Sequence, residues 1–425
     1  MKFLISDGIG TMEGKVRLIP IIEKLTEIVR SKTYEVHEAS VMLPFDEVMR
    51  EEVLRLGEEL STPKQKYVIL IGIGGSNLGV KAVYDALRGY YDLLEENHFP
   101  KIIFLDTLQA TYAGKVLNLL KSHSPEELLI IIASKSGTTT ETAVNAELTL
   151  AALGTAAHGR VVAITDEASA LWQAAKDRGF KILTVPRVVG GRFSVFSPVG
   201  LFPLTVAGFD IEAFTDGAKL AFSNSSIAEL PENFAMQSAL YLYEAYEKGI
   251  RIHDLFLFNP ALESLGKWYR QLVAESLGKE KSNDGSIVNA GITPTVSIGS
   301  NDLHSMVELY LGGPRDKITT FVSAPEIAAL TIPSELNLPT VPMVAGKSVG
   351  EVLSAIYEGT KAAYRSKGLP HMELVFDGVS EKELGYFMQH KMVETIFLGE
   401  LLGINAFNQP SVELYKQETR KILST

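Results

Sequence analysis

Short unbroken apolar runs alternate along much of this chain with longer stretches whose apolar residues recur at helical spacing. Tyr67 to Ile71, Lys101 to Leu105, Leu128 to Ala133, Val161 to Thr165 and Ile182 to Val185 each read as a short buried strand. Helical stretches such as Lys81 to Arg88 and Ala143 to Leu153 separate most of them. Strands that alternate with helices predict a parallel sheet covered on both faces. A second alternating region begins after Gly208. Its strand candidates are Asp254 to Phe258, Thr295 to Ile298, Thr319 to Val322 and Glu373 to Phe376, with helices over Pro231 to Lys248, Glu263 to Leu277 and Val349 to Ser366. Residues 13 to 60 read as helical, as do Glu381 to Leu402 and, after a proline turn, Ser411 to Ile422. The expected class is α/β with two doubly wound units. The boundaries drawn are a helical segment 1–60, a first α/β unit 61–207, a second 208–395, and a helical tail 396–425.

Composition narrows the chemistry. With no cysteine among 425 residues, disulfides, thiolate metal sites and cysteine nucleophiles are excluded. The eight histidines are scattered without ligand-like helical spacing, so no dedicated metal site is expected, although carboxylates alone could still hold a cation. A net charge of −11 argues against a nucleic-acid surface. No apolar run approaches membrane-spanning length, and MKFLISDGIG lacks a signal-peptide core. A cytoplasmic protein with no membrane partner is the expectation.

The most informative stretch is Ser134-Lys135-Ser136-Gly137-Thr138-Thr139-Thr140-Glu141-Thr142, set between a strand and a helix start. Helix N-terminal N–H groups, short hydroxyl donors and a lysine together suit a phosphate monoester. The plainer reading makes Thr138 an N-cap with Glu141 closing a capping box, but six hydroxyls and a lysine exceed that need. Gly72-Ile73-Gly74-Gly75-Ser76-Asn77-Leu78-Gly79 follows the first strand and fits neither the dinucleotide fingerprint nor the P-loop. Beside the hydroxyl loop it suggests a second wall of one pocket, its glycines allowing close backbone approach to a ligand and Ser76 offering a hydroxyl; a tight turn without a ligand is the competing reading.

Four further groups carry candidate chemistry. Arg192, after Gly190 and Gly191, is placed to stabilise an oxyanion or to sit in a surface ion pair. Gln271 and Glu275 share one helix face, where Glu275 suits a general base; an i,i+4 ion pair between Glu275 and Lys279 is the plain alternative. His304 is either a proton shuttle or a first-turn histidine behind an Asn301 or Asp302 cap, and Lys416 by itself reads as a solvated lysine.

Taken in order, these pieces resemble the glucose-6-phosphate isomerase (phosphoglucose isomerase) family in its shorter bacterial form. The matching motifs are GIGGS at 72–76, SKSGTTTET at 134–142, GGRFSVFSPVG at 190–200, QLVAESLGK at 271–279, GSNDLHS at 299–305 and QPSVELYK at 409–416. The resemblance implies two sugar-isomerase (SIS) units and no cofactor. It also implies interconversion of glucose 6-phosphate and fructose 6-phosphate in glycolysis and gluconeogenesis. On matching positions it makes Ser134, Lys135, Ser136, Gly137, Thr138 and Thr139 the phosphate loop, with Gly75, Ser76 and Gln271 also on the substrate. It makes Glu275 the base, Arg192 the group that stabilises the enediolate, and His304 and Lys416 the ring-opening pair. A homodimer is implied, in which His304 completes the neighbouring subunit's site. Asn408 and Pro410 depart from the aspartate and tryptophan of many members. A dual phosphoglucose/phosphomannose isomerase and a non-catalytic sugar-phosphate sensor remain the other readings.

Overall fold

Two five-stranded sheets organise the chain in a computed structural model that describes residues 1–5, 12–325, 330–338 and 340–424. In the first sheet, β2 (Tyr67–Ile71), β3 (Lys101–Leu105), β4 (Leu128–Ala133), β5 (Val161–Thr165) and β6 (Lys181–Thr184) lie in the order β3-β2-β4-β5-β6. Every pairing is parallel. All residues of β4 and β5 are buried, which explains runs without polar alternation. The order reverses between β2 and β4, so a crevice opens beyond their C-terminal ends. The glycine loop leaves β2 and the hydroxyl loop leaves β4 at that crevice.

The second sheet runs β1-β12-β11-β7-β10. Its parallel strands are β7 (Ile252–Leu257), β10 (Thr293–Ile298), β11 (Lys317–Ser323) and β12 (His371–Val375). The first strand, β1 (Lys2–Ile5), joins β12 antiparallel, pairing Phe3 with Leu374. This corrects the reading of 1–60 as helical throughout, because four edge residues carry too little periodicity to be seen. Residues 6–11 of that segment lie outside the described residues. The rest is helical as expected: Met12–Ser31, a 3₁₀ stretch His37–Phe45, and Glu47–Leu60. A small hairpin of β8 (Lys279–Lys281) and β9 (Ile287–Ala290) also went unread; its KEK and IVNA segments are short and mostly exposed.

The helix Glu381–Leu401 crosses the boundary drawn at 395, since nothing breaks it before Gly403. It is buried from Leu384 to Gly399, so no polar stripe marks its outer face. Inside it, Lys391 pairs with Glu394 at 2.7 Å, both without solvent exposure. Tyr269 donates to the same glutamate at 3.4 Å and sits 2.8 Å from His253 Nδ1. Burial holds His253 well below its ordinary pKa, so it is neutral. Tyr269 lies on the helix Glu263–Leu277, which also carries Gln271 and Glu275. The buried network thus fixes the helix that presents the candidate base. Among the described residues no helix is long and apolar enough to cross a membrane.

Candidate active site

The hydroxyl loop leaves β4 at Ser134 and enters the helix Thr140–Leu153. Ser134 Oγ lies 3.2 Å from Thr139 Oγ1 and accepts the Gly137 N–H at 3.2 Å. Ser136 Oγ lies 3.0 Å from Thr138 Oγ1. The hydroxyls brace one another, and the N-cap residue Thr139 makes no side-chain capping bond. The capping box expected from Thr138 and Glu141 is therefore not the arrangement found. The helix N-terminus keeps its donors for an anion. Gly137 has φ +70°, and a Cβ there would stand 2.3 Å from the Leu171 amide nitrogen, so only glycine fits. Lys135 is half-buried, and burial lowers its pKa against the opposing pull of Asp166. Asp166 and Arg187 act electrostatically on this lysine and were missed in the sequence. Position at the C-terminal end of β5, in the case of Asp166, was the available signal.

The glycine loop links this anchor to the candidate base. A Cβ on Gly72 would lie 2.9 Å from the Ala133 carbonyl oxygen, and one on Gly74 would lie 3.0 Å from Gln271 Nε2. At Gly75 it would stand 2.1 Å from the Gly191 carbonyl carbon. The two glycine loops therefore meet backbone to backbone, and Ser76 closes the short turn Gly74–Ser76.

Arg192 is buried and donates all five of its N–H groups to protein. Nε goes to Ser276 Oγ at 2.7 Å. Nη1 goes to Glu275 Oε1 and to Gln409 Oε1, each at 3.0 Å. Nη2 goes to the carbonyls of Ala406 at 2.6 Å and Asn408 at 3.3 Å. The surface ion pair is excluded by this burial. Asn408 contributes a backbone oxygen, which is why its side chain can depart from the aspartate of many members.

Glu275 is held at both carboxylate oxygens, Oε1 by Arg192 and Oε2 by Gln271 Nε2 at 3.0 Å. The shared helix face is thus a direct contact. The expected Glu275–Lys279 ion pair does not form, because the helix ends at Leu277 and Lys279 already lies on β8. Lys279 Nζ instead donates to the Glu275 backbone carbonyl at 2.6 Å. Glu275 opens onto a recess of about 180 Å³ lined also by Lys279, Glu280, Gln409 and Ser411.

Two candidates have no hydrogen bond or ion pair to these groups among the described residues. His304 is exposed at the end of the 3₁₀ turn Asn301–His304, where Asp302 supplies the local bonds, accepting Ile298 N–H at 2.7 Å. Lys416 pairs with Glu413 at 2.8 Å on the helix Val412–Leu423. Neither contacts Glu275, Arg192 or Gln271 among the described residues. No group of three or more His, Asp or Glu there is placed to hold a metal ion.

Comparison with known proteins bears on the family and the fold. The phosphoglucose isomerase family matches residues 51–425. A glucose-6-phosphate isomerase of Bacillus cytotoxicus is 34% identical over 368 residues, covering 84% of this chain and 79% of that protein. A hypothetical protein of Thermus thermophilus superposes with a TM-score of 0.85 at 33% identity, covering 97% of both chains. A glucose-6-phosphate isomerase of Chlamydia trachomatis gives a TM-score of 0.77 at 25% identity, covering 91% of this chain and 75% of that one.

The saturation of Arg192 makes a stability prediction. Lysine offers three donors from one point and leaves buried acceptors unfilled. Arg192→Lys lowers the unfolding free energy by about 2–4 kcal/mol in chemical denaturation. A change under about 0.5 kcal/mol would show that these bonds do not hold the segments together.

Proposed function

The chain belongs to the phosphoglucose isomerase family, and from that premise we propose that Glu275 is the base of its reaction and the loop 134–139 its phosphate anchor. The enzyme is an aldose–ketose isomerase that interconverts D-glucose 6-phosphate and D-fructose 6-phosphate. A proton moves between C2 and C1 with no net oxidation of the sugar, so the protein must supply a base, an anchor and charge near the developing enediolate. One observation carries the residue assignment. A partly exposed carboxylate is fixed at both oxygens by a buried arginine and a glutamine, beside a sheet crevice that holds a phosphate-type loop.

In this proposal the loop hydroxyls, the Lys135 ammonium and the N–H groups at the start of the Thr140–Leu153 helix bind the 6-phosphate. The binding energy places C1 and C2 at Glu275. Gln271 has a second function, because its Oε1 is buried without a protein partner. A sugar hydroxyl is a fitting donor to it. Arg192 acts through its charge and through the orientation it imposes on Glu275, since its N–H groups are engaged.

The same reading treats the two sheets as two sugar-isomerase units, 61–207 and 208–395, with Glu381–Leu401 extending the second. It makes the enzyme a homodimer in the cytoplasm. The exposure of His304, and the lack of a bond from it to Glu275 among the described residues, favour its delivery to the partner subunit's site for ring opening, with Lys416 as the second ring-opening group.

Two experiments check these points. In an assay of glucose 6-phosphate formed from fructose 6-phosphate, the double variant Ser136→Ala/Thr138→Ala raises KM by about 10- to 100-fold, two lost bonds to an anion. Its binding of unphosphorylated fructose stays unchanged; equal weakening of both sugars would remove the loop's phosphate role. Second, the inactive variants His304→Ala and Glu275→Gln are mixed under conditions of subunit exchange. Activity returns to about a quarter of wild type, because half the dimers are mixed and each has one intact site. No recovery despite demonstrated exchange would place His304 in its own subunit's site.

A further inference from the structure

Lys279, Lys361 and Lys391 are all buried, but their partners differ. Lys361 and Lys391 each have a carboxylate at 2.7 Å, from Glu373 and Glu394. Lys279 has none within ion-pair distance among the described residues, and its one protein bond goes to the Glu275 backbone carbonyl. An ammonium has three donors, so two remain, and the side chain borders the recess onto which Glu275 opens.

A buried cation without a paired anion is costly unless a ligand completes it. The usual i,i+4 pairing with Glu275 would have relieved that cost; the break at Gly278 prevents it. The five donors of Arg192 are spent on protein, which leaves Lys279, among the described residues, as the cation with free N–H groups beside the base. We propose that Lys279 is a catalytic residue of the isomerisation: it caps the last turn of the helix that carries Glu275, and its remaining N–H donors stabilise the negative oxygen that develops on the substrate as Glu275 takes the proton. The inference rests on the isomerase reading and on Glu275 as base. When the base removes the proton, the C–H electron pair becomes the enediolate double bond and the carbonyl π electrons move onto oxygen. That oxygen is the anion Lys279 meets, and no co-reactant is needed.

The charged groups facing Lys279 are Glu275 from the preceding helix, Arg192 from the second glycine loop and Glu280 beside it on the recess wall. Its paired strand β9 and the segment 409–412 carry no ionisable side chain. Burial first, and the Arg192 charge second, push the ammonium down to about 8, with Glu275 opposing. The cationic form is the working one, so wild-type kcat falls as pH rises through that value.

The test compares wild type, Lys279→Met and Lys279→Arg by kcat, KM and pH profile, with folding checked by circular dichroism. Lys279→Met lowers kcat by about 10²- to 10³-fold, the loss of one oxyanion donor, with KM changed less than about threefold. Lys279→Arg keeps its charge and loses the alkaline limb near pH 8. A Lys279→Met enzyme with kcat within threefold of wild type overturns the proposal. If that variant does not fold, an alkaline limb unchanged in Lys279→Arg overturns it. Wild-type protein that forms no glucose 6-phosphate would instead overturn the isomerase reading itself.

Discussion

The guanidinium of Arg192 is the joint of this molecule. It reaches from a loop that follows the first sheet to the last turn of the base-bearing helix and to the chain that precedes the C-terminal helix. Each contact uses a donor in fixed planar geometry, which a lysine cannot reproduce. The charge is buried, and what makes burial tolerable is the Glu275 carboxylate together with four neutral acceptors. A base held this way keeps one orientation without help from substrate. That is the pre-organisation on which proton transfer between neighbouring carbons depends.

Backbone proximity does the remaining positioning. The reversal of strand order at β2 and β4 places two loops at one crevice, and the glycines of the first loop let it touch everything around it. Gly72 meets the end of β4, Gly74 meets Gln271 and Gly75 meets Gly191. The hydroxyl loop and the helix that carries Glu275 are therefore linked through close contacts of the glycine loop. The buried Lys391–Glu394–Tyr269 network holds the base helix from its other side.

Much of this was legible in the residues. Parallel strands buried on both faces have no wet face, so β2, β4 and β5 appear as apolar runs with the bounds observed, and the partly buried edge strand β3 carries a run of the same kind. The hydroxyl-rich loop was legible because no structural cap needs so many short donors. β1 and the β8–β9 hairpin were not, since three or four residues at an edge show no period. The carbonyls of Ala406 and Asn408 carry no residue-type signal at all, although they bind Arg192. Lys279 shows the subtler failure. Its spacing from Glu275 is right for a helical ion pair, yet the helix stops two residues too soon, and the lysine bonds to a backbone oxygen instead. The motif order named the family, whereas only the folded chain shows that Arg192 has no donor to spare.

In the proposed reaction Glu275, fixed by Arg192 and Gln271, moves the proton between C2 and C1. Exchange of the C2 proton of glucose 6-phosphate with deuterated water, followed by nuclear magnetic resonance, tests it most directly. Glu275→Gln should bind the sugar phosphate with an affinity near wild type and exchange at least about 10³-fold more slowly, as expected for loss of a general base. Exchange at the wild-type rate in that variant would contradict the account.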